Sequence, residues 1–258
     1  MTKLLCIGEC MIELAPTPDD TFSLGFAGDT FNTAWYARRL ASPDIEVAYL
    51  FFIGDDETSD RLRSFIESAG IVTNLAVRAG ASVGLYMISL KDGERSFSYW
   101  RSASSARTLA DDLTELPGLS AGDIAYVSGS TMAILPDDGR ECVLDALAKA
   151  RAAGVHVAFD PNLRPRLWDD TSIMCDWIMR TAAVADIALP SFEDEQGYFG
   201  DTNTGATADR YLNAGATTVV VKDGDGPVLL HCDGTETSVP TEPATQGVDT
   251  TAAGASIN

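Results

Sequence analysis

Short apolar runs alternate with amphipathic stretches along most of this chain. Residues 4–8 (Leu4-Leu-Cys-Ile-Gly8) read as a buried strand, and the pattern continues through residue 14 until Pro16 and Pro18 break it. Small and polar residues at 27–34 precede a helical pattern over 33–40, with Asp29 or Thr30 as its cap. A second buried strand follows at 47–53, then an amphipathic helix at 59–69 closed by Gly70. This alternation predicts a parallel sheet covered by helices. It breaks at 81–101, where two β-rich runs, 83–90 and 94–101, are joined around Lys91-Asp-Gly93 and predict a hairpin. Two-residue geometry puts Phe97, Tyr99 and Arg101 on one face of the second strand, and Tyr86 and Ile88 share that spacing on its partner. The alternation then resumes, with strands at 123–128, 155–160, 187–189 and 218–222. Helices fall at 136–153, 171–185 and 206–214, and a terminal hairpin at 228–231 and 235–239.

Parallel α/β sheets bind ligands at the carboxyl ends of their strands. Asp160-Pro-Asn-Leu-Arg-Pro-Arg-Leu-Trp168 follows one such end, so Asp160, Asn162 and Arg164 are expected at the functional edge. Pro190-Ser-Phe-Glu-Asp-Glu195 follows another; Asp194 and Glu195 suit a Mg²⁺ ion held through water, or else form a solvated helix start. Lys222-Asp-Gly-Asp-Gly226 carries a lysine within reach of a phosphate, although it is neither a P-loop nor a dinucleotide fingerprint and an ordinary hairpin looks the same. Arg101 and Arg164 can fork onto a carboxylate or make surface ion pairs. Residues 247–258 set a turn of small residues after Asp249 that opens a helix. The unpaired N–H groups of such a turn form an anion site, which only Gly and Ala let a ligand approach closely. A loose tail is the alternative.

Composition narrows the choice. A chain of 258 residues suits one large α/β domain or two small ones. With no internal repeat or low-complexity linker, a single domain over 1–258 is expected. A formal charge of −20 argues against nucleic acid as a partner but leaves small anions open. Lysine is confined to Lys3, Lys91, Lys149 and Lys222, a bias that fits either a high-salt cytoplasm or a GC-rich genome. No apolar run reaches the ~18 residues that span a bilayer, and no signal-like segment opens the chain, so no membrane partner and a cytoplasmic location are expected. Cys6, Cys10, Cys142, Cys175 and Cys232 form no CxxC pair, and the odd number predicts reduced thiols. Neither His156 nor His231 has a neighbour at ligand spacing, so no protein-built zinc site is expected.

Six ordered motifs carry a resemblance over nearly the whole chain: Gly8-Glu-Cys-Met-Ile-Glu-Leu14, Gly28-Asp-Thr-Phe-Asn-Thr-Ala34, Tyr99-Trp-Arg101, Asp160-Pro-Asn-Leu-Arg-Pro-Arg-Leu-Trp168, Val221-Lys-Asp-Gly224 and Asp249-Thr-Thr-Ala-Ala-Gly254. In these the chain resembles the ribokinase (PfkB-type) carbohydrate kinases, and among them the 2-keto-3-deoxygluconate kinases. The resemblance implies a central, mostly parallel sheet flanked by helices, with a small β-sheet lid from about 11–27 and 81–101. It implies ATP-dependent phosphorylation of a sugar acid at its primary C6 hydroxyl. The sugar acid would rest on Gly28, Asp29 and Asn32 under Tyr86, Tyr99 and Arg101, with Arg164 at its carboxylate or keto end. ATP would lie over residues 222–227, Lys222, Gly224 and Gly226 included, with Asn162, Ser191 and Asp194 near the phosphates and Mg²⁺. Relatives outside the subclass often carry Asn where Ser191 stands. The amides of Ala252, Ala253 and Gly254 would form the anion hole, a monovalent cation would sit near Asp249, and the lid would pair subunits into a homo-oligomer.

Two departures stand out. Where the family has the Asp that takes the proton from the attacking hydroxyl, this sequence has Ala255, and a methyl group accepts no proton. Relatives also continue for several helices past the position of Asn258, helices that wall the adenine pocket, so a chain recorded short of its parent is expected. The alternatives within reach are a kinase for a neutral ketose such as fructose, and a catalytically dead protein that binds sugar acid or nucleotide.

Overall fold

The computed structural model describes residues 2–19, 21–91 and 94–241. The first apolar run forms β1 (Thr2–Ile7), whose alternating side chains are divided between two cores: Leu5 and Ile7 enter one, Cys6 the other. Burial on both faces explains why the strand reads as continuously apolar. β1 does not continue through residue 14. It ends at Gly8, where a Cβ would stand 2.4 Å from Thr30 Oγ1 and 2.5 Å from Thr131 Oγ1. After Glu9 and Cys10 the chain starts a separate strand, β2 (Met11–Pro16), which pairs antiparallel with β3 (Phe22–Ala27).

Helix α1 (Asp29–Leu40) starts earlier than the apolar pattern suggests, and neither Asp29 nor Thr30 caps it. The cap position is Gly28, where a Cβ would lie 2.2 Å from the Glu9 carbonyl oxygen. β4 (Ile45–Gly54) leads through Asp56 to α2 (Glu57–Ser68). Asp56 Oδ1 accepts from Ser59 N at 2.9 Å, a cap worth about 1 kcal/mol. β5 (Val72–Arg78), which the periodicity did not mark, completes that edge of the sheet beside β4. The chain then crosses to β6 (Leu85–Lys91) and β7 (Glu94–Trp100), an antiparallel pair with Tyr86 opposite Tyr99 and Ile88 opposite Phe97. The predicted turn at Asp92 and Gly93 lies outside the described residues.

The second half alternates as expected: β8 (Ile124–Ser128), a short α3 (Gly129–Ile134) that the pattern missed, and α4 (Asp137–Ala152). β9 (His156–Asp160), α5 (Thr171–Ala182), β10 (Ile187–Ala188), α6 (Phe192–Phe199) and α7 (Thr204–Ala214) follow. β11 (Thr218–Val221), β12 (Val228–Cys232) and β13 (Thr235–Val239) end the described chain.

The large sheet runs β13-β12-β11-β10-β9-β8-β1-β4-β5, parallel from β11 to β5 and antiparallel at β12 and β13. Phe31, Leu62 and Ile66 of α1 and α2 pack into one core. Val143, Leu147, Met174, Ile178 and Tyr211 of α4, α5 and α7 pack into the other. Each such side chain contributes about 1.5–3 kcal/mol by leaving water. The small sheet runs β3-β2-β6-β7, with β2 and β6 parallel. Its register puts Met11, Tyr86, Ile88, Phe97 and Tyr99 on one face, and Met11, Tyr86 and Ile88 form a minor core there. Among the described residues no helix is long and apolar enough to cross a membrane. The five cysteines are all free.

Candidate active site

The carboxyl ends of β1, β8, β9, β10 and β11 deliver the polar residues that the apolar strands cannot hold. From β9 comes Asp160, whose Oδ1 accepts from Asn162 N at 3.1 Å and whose Oδ2 meets Lys222 Nζ at 3.1 Å. The pair is mostly buried, and the bond joins the end of β9 to the residue after β11. Lys222 is also held through its backbone: its N–H donates to Pro190 O at 2.9 Å, and its carbonyl accepts from Phe192 N at 2.8 Å. Ser191 bridges to Lys222 through that backbone ladder, and its side chain does not cap α6.

Asn162 and Arg164 both lie in the left-handed region, with φ 32° and 45°. That conformation costs a non-glycine residue of order 1–3 kcal/mol and persists where the surroundings enforce it. Enforcement at Asn162 comes from Asp29, whose Oδ2 accepts from Asn162 Nδ2 at 2.7 Å and from Ser130 Oγ at 2.5 Å. A residue expected beside phosphates is therefore tied to one expected beneath the sugar. Arg164 is exposed, and Asn32 is half-buried on α1 with its backbone N–H donating to Gly28 O at 2.7 Å.

Asp194 and Glu195 part company. Asp194 stays half-buried, and burial pushes its carboxyl above the usual range against the pull of Arg164 and Lys222; Asp160 and Glu193 push the same way as burial. Glu195 is not available for a metal ion. It is 0% exposed, and its Oε2 accepts from Arg210 Nη2 at 2.6 Å while Oε1 accepts from Tyr211 OH at 3.0 Å. One helical step separates the two carboxylates onto different faces, so the acidic run splits into a half-buried carboxylate under the influence of Arg164 and Lys222 and a packing residue. Among the described residues, no three His, Cys, Asp or Glu side chains gather for a metal ion. In the loop after Lys222, Gly226 N donates to Asp223 O at 2.7 Å. Gly224 has φ 53° with nothing within 4 Å of its Cβ position, which leaves this edge open.

The small sheet contributes a second group. Tyr86, Phe97 and Tyr99 gather their rings at centroid distances of 5.9–6.3 Å, and Tyr86 OH donates to Glu13 Oε2. Tyr99 is 49% exposed. Arg101 does not continue the exposed face. β7 ends at Trp100, and Arg101 turns in to donate from Nη2 to Glu9 Oε2, while Ser104 Oγ donates to Glu9 Oε1 at 2.5 Å. Burial pushes the Glu9 carboxyl up, against Arg101 and Ser104. The Arg101 Nε–H is buried without a partner among the described residues. Glu9, Ser104 and Ser130 escaped the sequence reading. The signal for Glu9 was a charged residue interrupting an otherwise apolar run. Ala252, Ala253, Gly254, Ala255 and Asp249 lie outside the described residues.

Comparison with known proteins follows the same lines. The description "pfkB family carbohydrate kinase" matches residues 1–257. The 2-dehydro-3-deoxygluconokinase of Haemophilus influenzae is 34% identical over 100% of this chain and 85% of its own length. That of Dickeya dadantii is 36% identical over 99% of this chain and 85% of its own length. Among solved structures, the PfkB protein from Polaromonas sp. JS666 superposes with a TM-score of 0.79 at 25% identity, covering 95% of this chain and 84% of that one. The fructokinase from Xylella fastidiosa with bound ATP gives 0.81 at 25% identity, covering 98% and 78%. The arrangement of a mostly parallel sheet, flanking helices and separate small sheet is ribokinase-like.

Proposed function

This chain belongs to the pfkB family of carbohydrate kinases, and from that premise we propose that it acts on 2-keto-3-deoxygluconate, the 2-dehydro-3-deoxygluconate of its relatives' names. In this reading the γ-phosphoryl group of ATP passes to the sugar acid's primary C6 hydroxyl. The observation that carries the substrate class is Arg101, a largely buried guanidinium at the end of the small sheet with one N–H left unpartnered among the described residues. A neutral ketose needs no such cation; a sugar carboxylate matches its fork.

In this proposal Gly28, Asp29 and Asn32 seat the sugar acid, Tyr86 and Tyr99 cover it, and Arg101 and Arg164 take its acid end. Lys222, Gly224 and Gly226 lie along the phosphates of ATP, with Asn162 and Ser191 beside them. The donor set fits a nucleotide with Mg²⁺: the charges of Lys222 and Arg164 act on a half-buried carboxylate, Asp194, that suits the ion through water. When bound, Mg²⁺ would offset charge on the phosphates. The chain's own part is to orient and to stabilise charge, which is most of what phosphoryl transfer requires. The amides of Ala252, Ala253 and Gly254 are the proposed anion hole, and a monovalent cation is proposed near Asp249. Phe22, Leu24 and Trp100, exposed on the opposite face of the small sheet, support pairing of that sheet with a second copy.

Ala255 favours a second reading, a protein that binds sugar acid and ATP with little turnover. A coupled assay on the protein with and without Ala255→Asp separates the two. The Asp form is expected to turn over about 10²–10⁴-fold faster, with sugar-acid binding alike in both. An Asp form that binds both ligands and stays inert sinks the kinase reading, and faster phosphorylation of fructose sinks the substrate class.

A further inference from the structure

All four passages of the chain between the large and small sheets meet at one residue. The chain leaves β1 through Gly8, Glu9 and Cys10, returns from β3 through Gly28, enters β6 through Gly84 and leaves β7 through Arg101 and Ser104. Glu9 touches each of the other three. Its Oε1 accepts from Ser104 Oγ and its Oε2 from Arg101 Nη2. A Cβ at Gly84 would stand 2.7 Å from that Oε1, and one at Gly28 2.2 Å from the Glu9 carbonyl oxygen. The side chains of Glu9 and Arg101 are only 5% and 14% exposed. A carboxyl group this dry is held in place by its hydrogen-bond partners, and the guanidinium is fixed in return. One carboxylate does not use up five N–H donors, and the unpartnered Nε leaves Arg101 with capacity for an anion.

We propose that Glu9 is a positioning residue for the sugar-acid site: it pins the Arg101 guanidinium at the junction of the two sheets, so that Arg101 presents its remaining N–H groups to the ligand carboxylate. The inference rests on the reading of Arg101 as the partner of that carboxylate. Glu9 acts through Arg101 and needs no contact with the ligand. Because the same residue packs under Gly28, just before Asp29, it also sets the distance between the seat of the sugar and the sheet that covers it.

The test is calorimetric titration of the whole chain with 2-keto-3-deoxygluconate, on Glu9→Gln, Ser104→Ala, Arg101→Ala and the Glu9→Gln/Arg101→Ala double variant, each with its melting curve. Glu9→Gln is expected to raise the Kd roughly tenfold, the scale of losing the shell that supports a binding residue. Ser104→Ala, which removes one hydrogen bond to the same carboxylate, is expected to raise it about threefold. In the Arg101→Ala background Glu9→Gln should add nothing, the non-additivity of residues in contact. If Arg101→Ala weakens binding but a folded Glu9→Gln binds as well as the parent or better, the positioning role is overturned while the reading of Arg101 stands. An equal effect of Glu9→Gln in both backgrounds overturns it too, since that is how a merely structural residue behaves. Unchanged binding by Arg101→Ala overturns the underlying reading itself. Should Glu9→Gln fail to fold, Ser104→Ala decides, and an unchanged Kd there overturns the proposal.

Discussion

Two glutamate–arginine pairs are buried in this protein to nearly the same depth, Glu9 with Arg101 and Glu195 with Arg210. Their surroundings differ. Arg210 donates to Glu195 and to Asp201, through Nη2 at 2.6 and 2.5 Å and through Nε at 3.2 Å, and its guanidinium lies 3.8 Å over the Phe199 ring. Every side of it is engaged, as expected of a cation whose task is to hold α6 against α7. Arg101 has one carboxylate partner and a buried N–H with none among the described residues. Depth of burial alone therefore does not distinguish the two pairs. What separates them is whether the donors are used up.

The largest expected effect lies at the packing pair. Glu195→Ala should cost about 3–5 kcal/mol of unfolding free energy, because it strips Arg210 of one of its two carboxylates in a dry site. Urea denaturation would read this, and a loss below 1 kcal/mol would place the pair with surface salt bridges. Sugar-acid affinity of the folded fraction should not move. Arg101→Ala should show the reverse balance, weakening sugar-acid binding by about 1.5–3 kcal/mol when titrated calorimetrically. An unchanged affinity would make the two pairs equivalent.

A pH series sharpens the contrast. Burial pushes the Glu195 carboxyl up to about 7, against Arg210 and Tyr211, while an unfolded chain titrates near 4.5. The folded state then holds the proton more tightly, so this group's contribution is full below pH 4.5 and is lost as pH rises through about 7. Stability should fall across that window in the parent and fall less in Glu195→Gln. The smallest effect is Tyr211→Phe, which removes the hydroxyl from Glu195 Oε1 and should cost about 1 kcal/mol with no change in ligand affinity.

Much of the large sheet was legible in the sequence because parallel strands buried on both faces leave runs such as Leu4 to Ile7 with little ambiguity. β5 was missed because its residues are half-exposed at a sheet edge, and α3 because six residues are too few to show a helical period. The break at Gly8 was invisible for a different reason. An apolar run that changes sheets looks like one strand until Thr30 and Thr131 are seen crowding the glycine. Among the candidate residues, Asp160, Asn162 and Lys222 stand at or just past the carboxyl ends of strands, where the rule for parallel sheets looks. Glu9, Ser104 and Ser130 hydrogen-bond to partners about 95 to 101 positions away, a separation no local pattern reports.

The alternation of strands and helices, the parallel order it implies, the family motifs and the alanine at 255 are all written in the order of residues, since each is a local property or an ordered set of local properties. Which acids are available depends on the path of the chain in space. Asp194 and Glu195 are neighbours in the chain, yet one faces Arg164 and Lys222 and the other is sealed against Arg210. Likewise strand periodicity puts Arg101 in line with Tyr99 and leaves open whether it is a surface ion pair or a carboxylate partner, and the fold turns it inward to Glu9. The physical reason is the same in both cases. A charge finds its partner through the path of the backbone in space, and that path is set by the packing of distant apolar residues rather than by the residues beside it.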